Sequence, residues 1–92
     1  MNNHQENLTK VAEHYGLESR LEKTVEELDE LRDAIHWGTF DGDHGILAEM
    51  ADAYNMLDQL CILTGEGDTV RQIAEQKMIR TIKRMEEEEN AE

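Results

Sequence analysis

Apolar residues recur along most of this chain at intervals of three and four, the spacing that gathers them on one side of an α-helix. The longest such stripe is Leu17, Leu21, Val25, Leu28, Leu31 and Ile35. It predicts a long second helix whose apolar face packs against another helix. Before it, Leu8, Val11 and Ala12 predict a short leading helix that stops near Gly16, with residues 1–7 frayed. The stretch Gly38 to Gly45, GTFDGDHG, holds three glycines and two aspartates in eight residues and is the clearest break. A third helix follows from Ile46 to about Leu63. Thr64 to Gly67 forms a second turn, and Asp68 is the expected N-cap of a last helix starting near Thr69. That helix carries Val70, Ile73, Ala74, Met78, Ile82 and Met85 before EEEENAE. Negative charge is least favoured at a helix C-terminus, so residues 87–92 are expected to fray.

Four helical segments, no proline and short connections predict an all-α antiparallel helical bundle, one domain over residues 1–92. The third helix makes this fold demanding. Glu49, Asp52, Ala53, Met56 and Leu60 fall on one side of its wheel, while Leu47, Met50, Tyr54, Leu57 and Cys61 fill much of another. A helix of that kind is expected to be buried nearly all round. A chain of 92 residues keeps only a modest core, so the bundle is expected to be completed by oligomerisation, as a homodimer or homotetramer.

Charge narrows the partners. Nine Lys and Arg stand against 22 Asp and Glu, a net charge of -13. That balance opposes nucleic-acid backbones and anionic membranes, and creates self-repulsion that divalent cations relieve. The lone Cys61 in an apolar run excludes an internal disulfide and reads as a buried thiol in a reducing compartment. No run is long enough to span a membrane, and MNNHQENLTK lacks the apolar stretch of a signal peptide. These features predict a soluble, cytoplasmic protein.

The chemistry is expected at four carboxylates. Glu27 and Glu30 lie three apart on the second helix, and Glu49 and Asp52 lie three apart on the third. Residues three apart share a helix face, so each pair can offer oxygens to one ion. Carboxylates on the inner face of a buried helix cost several kcal/mol each unless paired or bound to metal, roughly by the desolvation of an ionised group. Asp52, among apolar neighbours, carries that expectation most strongly. If the second and third helices pack through their acidic faces, the four anions converge and call for a hard cation, Mg²⁺ or Mn²⁺. On the last helix Lys77, Arg80 and Arg84 form a cationic ridge. Facing an acidic groove, such a ridge would hold phosphate oxygens from the side opposite the metal.

Other conspicuous residues have plainer readings. A single Trp beside a glycine turn, Trp37, is more often a core or interface plug than a platform for a base. Histidines flanking a glycine-rich loop, as His36 and His44 do, are mostly solvated or capping, though they can touch phosphate. Neither the ligand spacing of a calcium-binding helical hairpin nor a phosphate-binding G-x-x-x-x-G-K-[ST] loop occurs.

These residues also carry a family resemblance. Glu27-Leu-Asp-Glu30 is followed, after an interval of eighteen residues, by Glu49-Met-Ala-Asp52, set in LEKTVEELDEL and LAEMADAYNMLDQL. The chain resembles the MazG-like all-α nucleoside triphosphate pyrophosphohydrolases, most closely their short phage-type members. The similarity runs from about His14 to Glu88 and includes IAEQKMIRTIKRMEEE. It implies that Glu27, Glu30, Glu49 and Asp52 are Mg²⁺ ligands, that Asn55 helps hold a triphosphate, and that Lys77 and Arg80 contact phosphate, with Arg84 continuing their ridge. The implied reaction is hydrolysis of a nucleoside or deoxynucleoside triphosphate between its α and β phosphates, with Glu27 or Glu30 orienting or deprotonating the water. The chain departs from the pattern at Arg20, where similar phage-type sequences more often have glutamine. The alternative is a non-catalytic acidic helical interaction protein or nucleotide sensor of a phage or mobile element. The interaction protein predicts no metal-dependent stabilisation.

Overall fold

A computed structural model describes residues 3–91. The chain forms four helices, α1 (His4–Tyr15), α2 (Leu17–Trp37), α3 (Ile46–Thr64) and α4 (Gly67–Asn90), with no strand among the described residues. The all-α class therefore stands. None of these helices is long and apolar enough to cross a membrane.

Helix α1 begins earlier than the apolar pattern suggests. Asn3 is its N-cap, and its side-chain oxygen accepts from the Glu6 amide at 3.2 Å, satisfying one of the free donors of the first turn. Residues 4–7 are thus helical rather than frayed, while Met1 and Asn2 lie outside the described residues. Gly16, at φ +84°, ends α1 by donating to the Ala12 carbonyl at 2.8 Å and leads directly into α2. A side chain there would be strained, which is why a glycine makes the corner. Gly65, at φ +69°, closes α3 in the left-handed conformation typical of a helix C-terminus.

Two expectations at α4 are corrected. The helix starts at Gly67, and Asp68 does not cap it: its carboxylate accepts from Arg71 at 2.8 Å, within the first turn. At the other end α4 continues to Asn90, so the acidic run is helical, with Glu92 outside the described residues. Its glutamates are exposed and well solvated, which limits their unfavourable interaction with the helix end.

Helix α3 is the hub and touches α1, α2 and α4, whereas α4 touches α3 alone. The buried apolar residues are few: Leu8, Ala12, Ala34, Ala53 and Met56. Beside them Thr24, Glu27, Glu49 and Gln59 are buried polar residues. The Thr24 hydroxyl donates to the Arg20 carbonyl of its own helix at 2.6 Å, leaving its methyl group free to pack.

The packing face of α2 is not the one the stripe predicts. Leu17, Leu21, Val25, Leu28 and Ile35 are exposed, and the helix buries Thr24, Glu27 and Ala34 instead. Nor is α3 buried all round, since Leu47, Met50, Tyr54 and Leu57 are exposed and Cys61 is half-buried. Helix α4 buries no residue, and Val70, Ile73, Met78, Ile82 and Met85 are all exposed. One physical cause covers α2 and α3: the small and polar side chains at Thr24, Ala34, Glu49 and Ala53 belong to the intrachain contact, so the bulky apolar stripes face outward.

The radius of gyration is 16.7 Å, against about 12 Å for a compact chain of this length. The molecule measures 53 × 34 × 29 Å. A three-helix body with a projecting α4 accounts for the excess.

Candidate metal centre

The loop between α2 and α3 turns the chain back on itself. Amides of Ile46 and Leu47 donate to the carbonyls of Thr39 (2.9 Å) and Phe40 (3.2 Å), fixing the start of α3 against the loop. The turn brings Glu49, in the first turn of α3, to Glu27 and Glu30 on α2. One carboxylate oxygen from each of the three lies within 4.8 Å of the others. At a helix N-terminus the unpaired amides and the helix dipole favour the Glu49 carboxylate.

Burial separates the three. Glu27 is 8% exposed and Glu49 4%, whereas Glu30 is exposed. Each buried carboxylate has one oxygen near a basic side chain: Lys23 Nζ lies 3.3 Å from Glu27 Oε1, and His44 Nδ1 lies 3.5 Å from Glu49 Oε1. The second oxygen of each, Glu27 Oε2 and Glu49 Oε2, is buried without a hydrogen-bond partner. A buried anion with an unsatisfied oxygen costs stability. The arrangement fits a small hard cation with all-oxygen ligands, Glu27 and Glu49 from within and Glu30 from the open side.

Lys23 belongs to the same constellation. Its ammonium also lies 3.3 Å from Glu26 Oε2, and the hydrogen bonds to Glu27 and then Glu26 raise its pKa above the ordinary 10.5. Its position four residues before Glu27 on a helix was the available signal in the sequence. On the solvent side, Glu30 and Glu49 line an open cavity of about 420 Å³ together with Asp33, Ala34, Trp37, Gly38 and His44.

The remaining expected site residues are not brought together. Asp52 is exposed and stands outside the three-carboxylate group, so the expectation that solvent does not reach it is corrected. Asn55 is half-buried and lines a different cavity, of about 250 Å³, with His4, Asn7, Leu8, Val11 and Gln59. Lys77, Arg80 and Arg84 are exposed and form no ion pair among the described residues. Because α4 does not touch α2, the cationic ridge does not close over the acidic groove within one chain. Gln59, absent from the expected site, is buried with Oε1 unpartnered while its Nε2 donates to the Asn55 carbonyl at 3.2 Å.

No protein-family model, curated protein or solved structure matches the chain.

Proposed function

We propose that this protein is a Mg²⁺-dependent nucleotide pyrophosphohydrolase, cleaving a nucleoside or deoxynucleoside triphosphate to the monophosphate and pyrophosphate. The observation that carries the proposal is the convergence of Glu27, Glu30 and Glu49, with two buried carboxylate oxygens lacking any partner. The E-x-x-E and E-x-x-D motifs at these positions support it through their resemblance to the MazG-like enzymes.

Mg²⁺, or Mn²⁺ in its place, would be held by Glu27, Glu30 and Glu49; when bound it supplies neutralisation of phosphate charge and acidification of a water. The chain's own groups divide the remaining work. Glu27 is tied to Lys23, which suits a fixed ligand. Glu30 is exposed and its carboxylate has no ion pair or hydrogen bond among the described residues, so its free oxygen would orient water and accept its proton. Asp52, one turn beyond Glu49, enters the ligand set only through a change of position.

Lys77, Arg80 and Arg84 are assigned to phosphate through a second copy of the chain, as part of a homodimer or homotetramer. Three outward apolar stripes and an α4 with no buried residue support that assembly. A cytoplasmic setting suits both a nucleotide substrate and the free thiol of Cys61.

A nucleotide sensor that binds without cleaving is the second reading, favoured by the position of Asp52 outside the carboxylate group. One experiment separates the two. The purified protein is incubated with each dNTP and NTP, with Mg²⁺ and then with excess chelator, and pyrophosphate and monophosphate are measured. Metal-dependent release of both products is expected. Intact nucleotides that nevertheless bind in the presence of Mg²⁺ would establish the sensor.

A further inference from the structure

We infer that His44 is a metal ligand, its Nδ1 supplying the fourth protein donor beside Glu27, Glu30 and Glu49 and biasing the site toward Mn²⁺ over Mg²⁺. The inference rests on the metal reading of that site and adds which cation it prefers.

The place expected of Asp52 is not taken by Asp52, which is exposed and stands outside the group of three carboxylates. The donor that reaches Glu49 from outside the group is His44, whose Nδ1 lies 3.5 Å from Glu49 Oε1. Two donors held about 2.1 Å from one ion stand roughly 3.0 Å apart when cis and roughly 4.2 Å apart when trans. The observed 3.5 Å falls inside that span. It is also longer than an ordinary N–H···O hydrogen bond, so Nδ1 is not committed to Glu49.

The loop fixes where His44 stands. Its neighbour Gly45 donates to the Gly42 carbonyl at 3.2 Å, and the next two amides hold the Thr39 and Phe40 carbonyls. A Cβ on Gly45 would stand 2.5 Å from the Asp41 carbonyl oxygen and 2.8 Å from that of Phe40, so the turn closes this tightly only on glycine. His44 is thereby set just ahead of α3, on the same cavity as Glu30 and Glu49. Its side chain is 94% exposed and has no second ion pair among the described residues, so it can turn toward an ion without breaking other contacts. Asp33, the remaining acidic residue of the cavity, is already paired with Arg32 at 3.7 Å.

Ligand chemistry then selects the ion. Carboxylate oxygens suit Mg²⁺ and Mn²⁺ alike, whereas an imidazole nitrogen is a softer donor that first-row transition ions accept more readily than Mg²⁺ does. The buried, unpartnered Oε2 atoms of Glu27 and Glu49 call for a cation of either kind. His44 adds the preference between them.

The test reads the nuclei bound to the ion. Untagged full-length protein is loaded with one equivalent of Mn²⁺ and measured by pulsed electron paramagnetic resonance. The coupling of a directly bound imidazole nitrogen is expected in the wild type and is absent from His44→Ala. Mn²⁺ affinity, read from the signal of the free ion, falls by about tenfold or more in His44→Ala. Mg²⁺ affinity, read by calorimetry, falls less, so the preference for Mn²⁺ narrows. His44→Gln, which keeps a hydrogen-bond donor for Glu49 but no imidazole, is expected to behave as His44→Ala does. Bound Mn²⁺ without nitrogen coupling in the wild type overturns the ligand and leaves the carboxylate site standing. Coupling that survives in His44→Ala overturns it as well. Full Mn²⁺ affinity in His44→Gln also overturns it, by reducing His44 to a hydrogen-bond partner of Glu49. Failure of the wild type to bind Mn²⁺ overturns the metal reading itself, and the ligand with it.

Discussion

Glu27 on α2 and Glu49 on α3 are both buried, and each offers a carboxylate oxygen within 4.8 Å of the other's. Two such anions repel, and neither has a hydrogen bond on its Oε2. Glu49→Gln is therefore expected to act in opposite directions with and without metal. In chelator it relieves repulsion and stabilises the fold by about 1 kcal/mol or more. With Mg²⁺ or Mn²⁺ at a hundredfold its Kd, the wild type gains about 2.7 kcal/mol, roughly 10–20 °C in Tm for a chain this small, and the variant gains little. Calorimetric melting of both proteins in both conditions checks the reversal. A variant that gains as much as wild type from the cation places the metal elsewhere.

Turnover should follow the same grouping. Glu49→Gln and Glu27→Gln are expected to lower kcat/KM at least a hundredfold while far-ultraviolet circular dichroism stays helical. Glu30→Gln, which removes the proton acceptor but leaves the buried pair, is expected to lower kcat more than it weakens Mg²⁺ binding. Asp52→Asn, at an exposed position outside the group, should cost less than any of them. Full loss of activity in Asp52→Asn would mean that Asp52 moves into the ligand set when substrate binds.

Lys23 gives the site a signature at high pH. Its pKa is raised by Glu27 and then Glu26, so the charged lysine is held more strongly in the folded chain than in the unfolded one. A raised lysine contributes its full stabilisation below 10.5 and loses it as the pH climbs through the higher folded value. The difference in stability between wild type and Lys23→Gln should accordingly be constant at neutral pH and vanish in strong alkali. Urea unfolding across that range measures it, and a difference that grows with pH would contradict the pairing.

The uncovered stripes carry a prediction about assembly. Leu57 and Tyr54 on α3 and Ile82 on α4 are all at least half exposed. Sedimentation velocity is expected to return at least twice the mass of one chain, and Leu57→Glu or Ile82→Glu to shift the population toward monomer. Loss of phosphate affinity in the same dissociated variants would place the Lys77, Arg80 and Arg84 ridge on a partner's site. A monodisperse monomer in the wild type sinks both expectations.

Small residues on the buried face of α3 set its approach to its neighbours. Ala53 is 6% exposed, one turn beyond Glu49. Ala53→Leu is expected to destabilise the fold by about 1–3 kcal/mol through overpacking, and to weaken Mg²⁺ binding by displacing Glu49. Denaturant unfolding and metal titration of this variant measure the two effects separately.

The sequence by itself determined the helical class, the break from Gly38 to Gly45, and two carboxylate pairs, Glu27 with Glu30 and Glu49 with Asp52, that could each offer oxygens to an ion. All three follow from local chemistry: periodicity, glycine conformations, and spacing of three along a helix. Only the tertiary structure decided which face of each helix turns inward. Leu21, Val25 and Leu28 make the more apolar face of α2, yet Thr24, Glu27 and Ala34 are buried. Apolar periodicity shows that a face will be covered and is silent on whether the same chain or a partner covers it. The same limit applies to Asp52, for which helical spacing predicts the same site as Glu49, while in the fold it is exposed and stands outside the carboxylate group. The meeting of Glu27 with Glu49 and the shared cavity of Trp37 with Glu49 likewise depend on where the helices cross and how the loop returns. Those are properties of three-dimensional packing, which local sequence patterns do not encode.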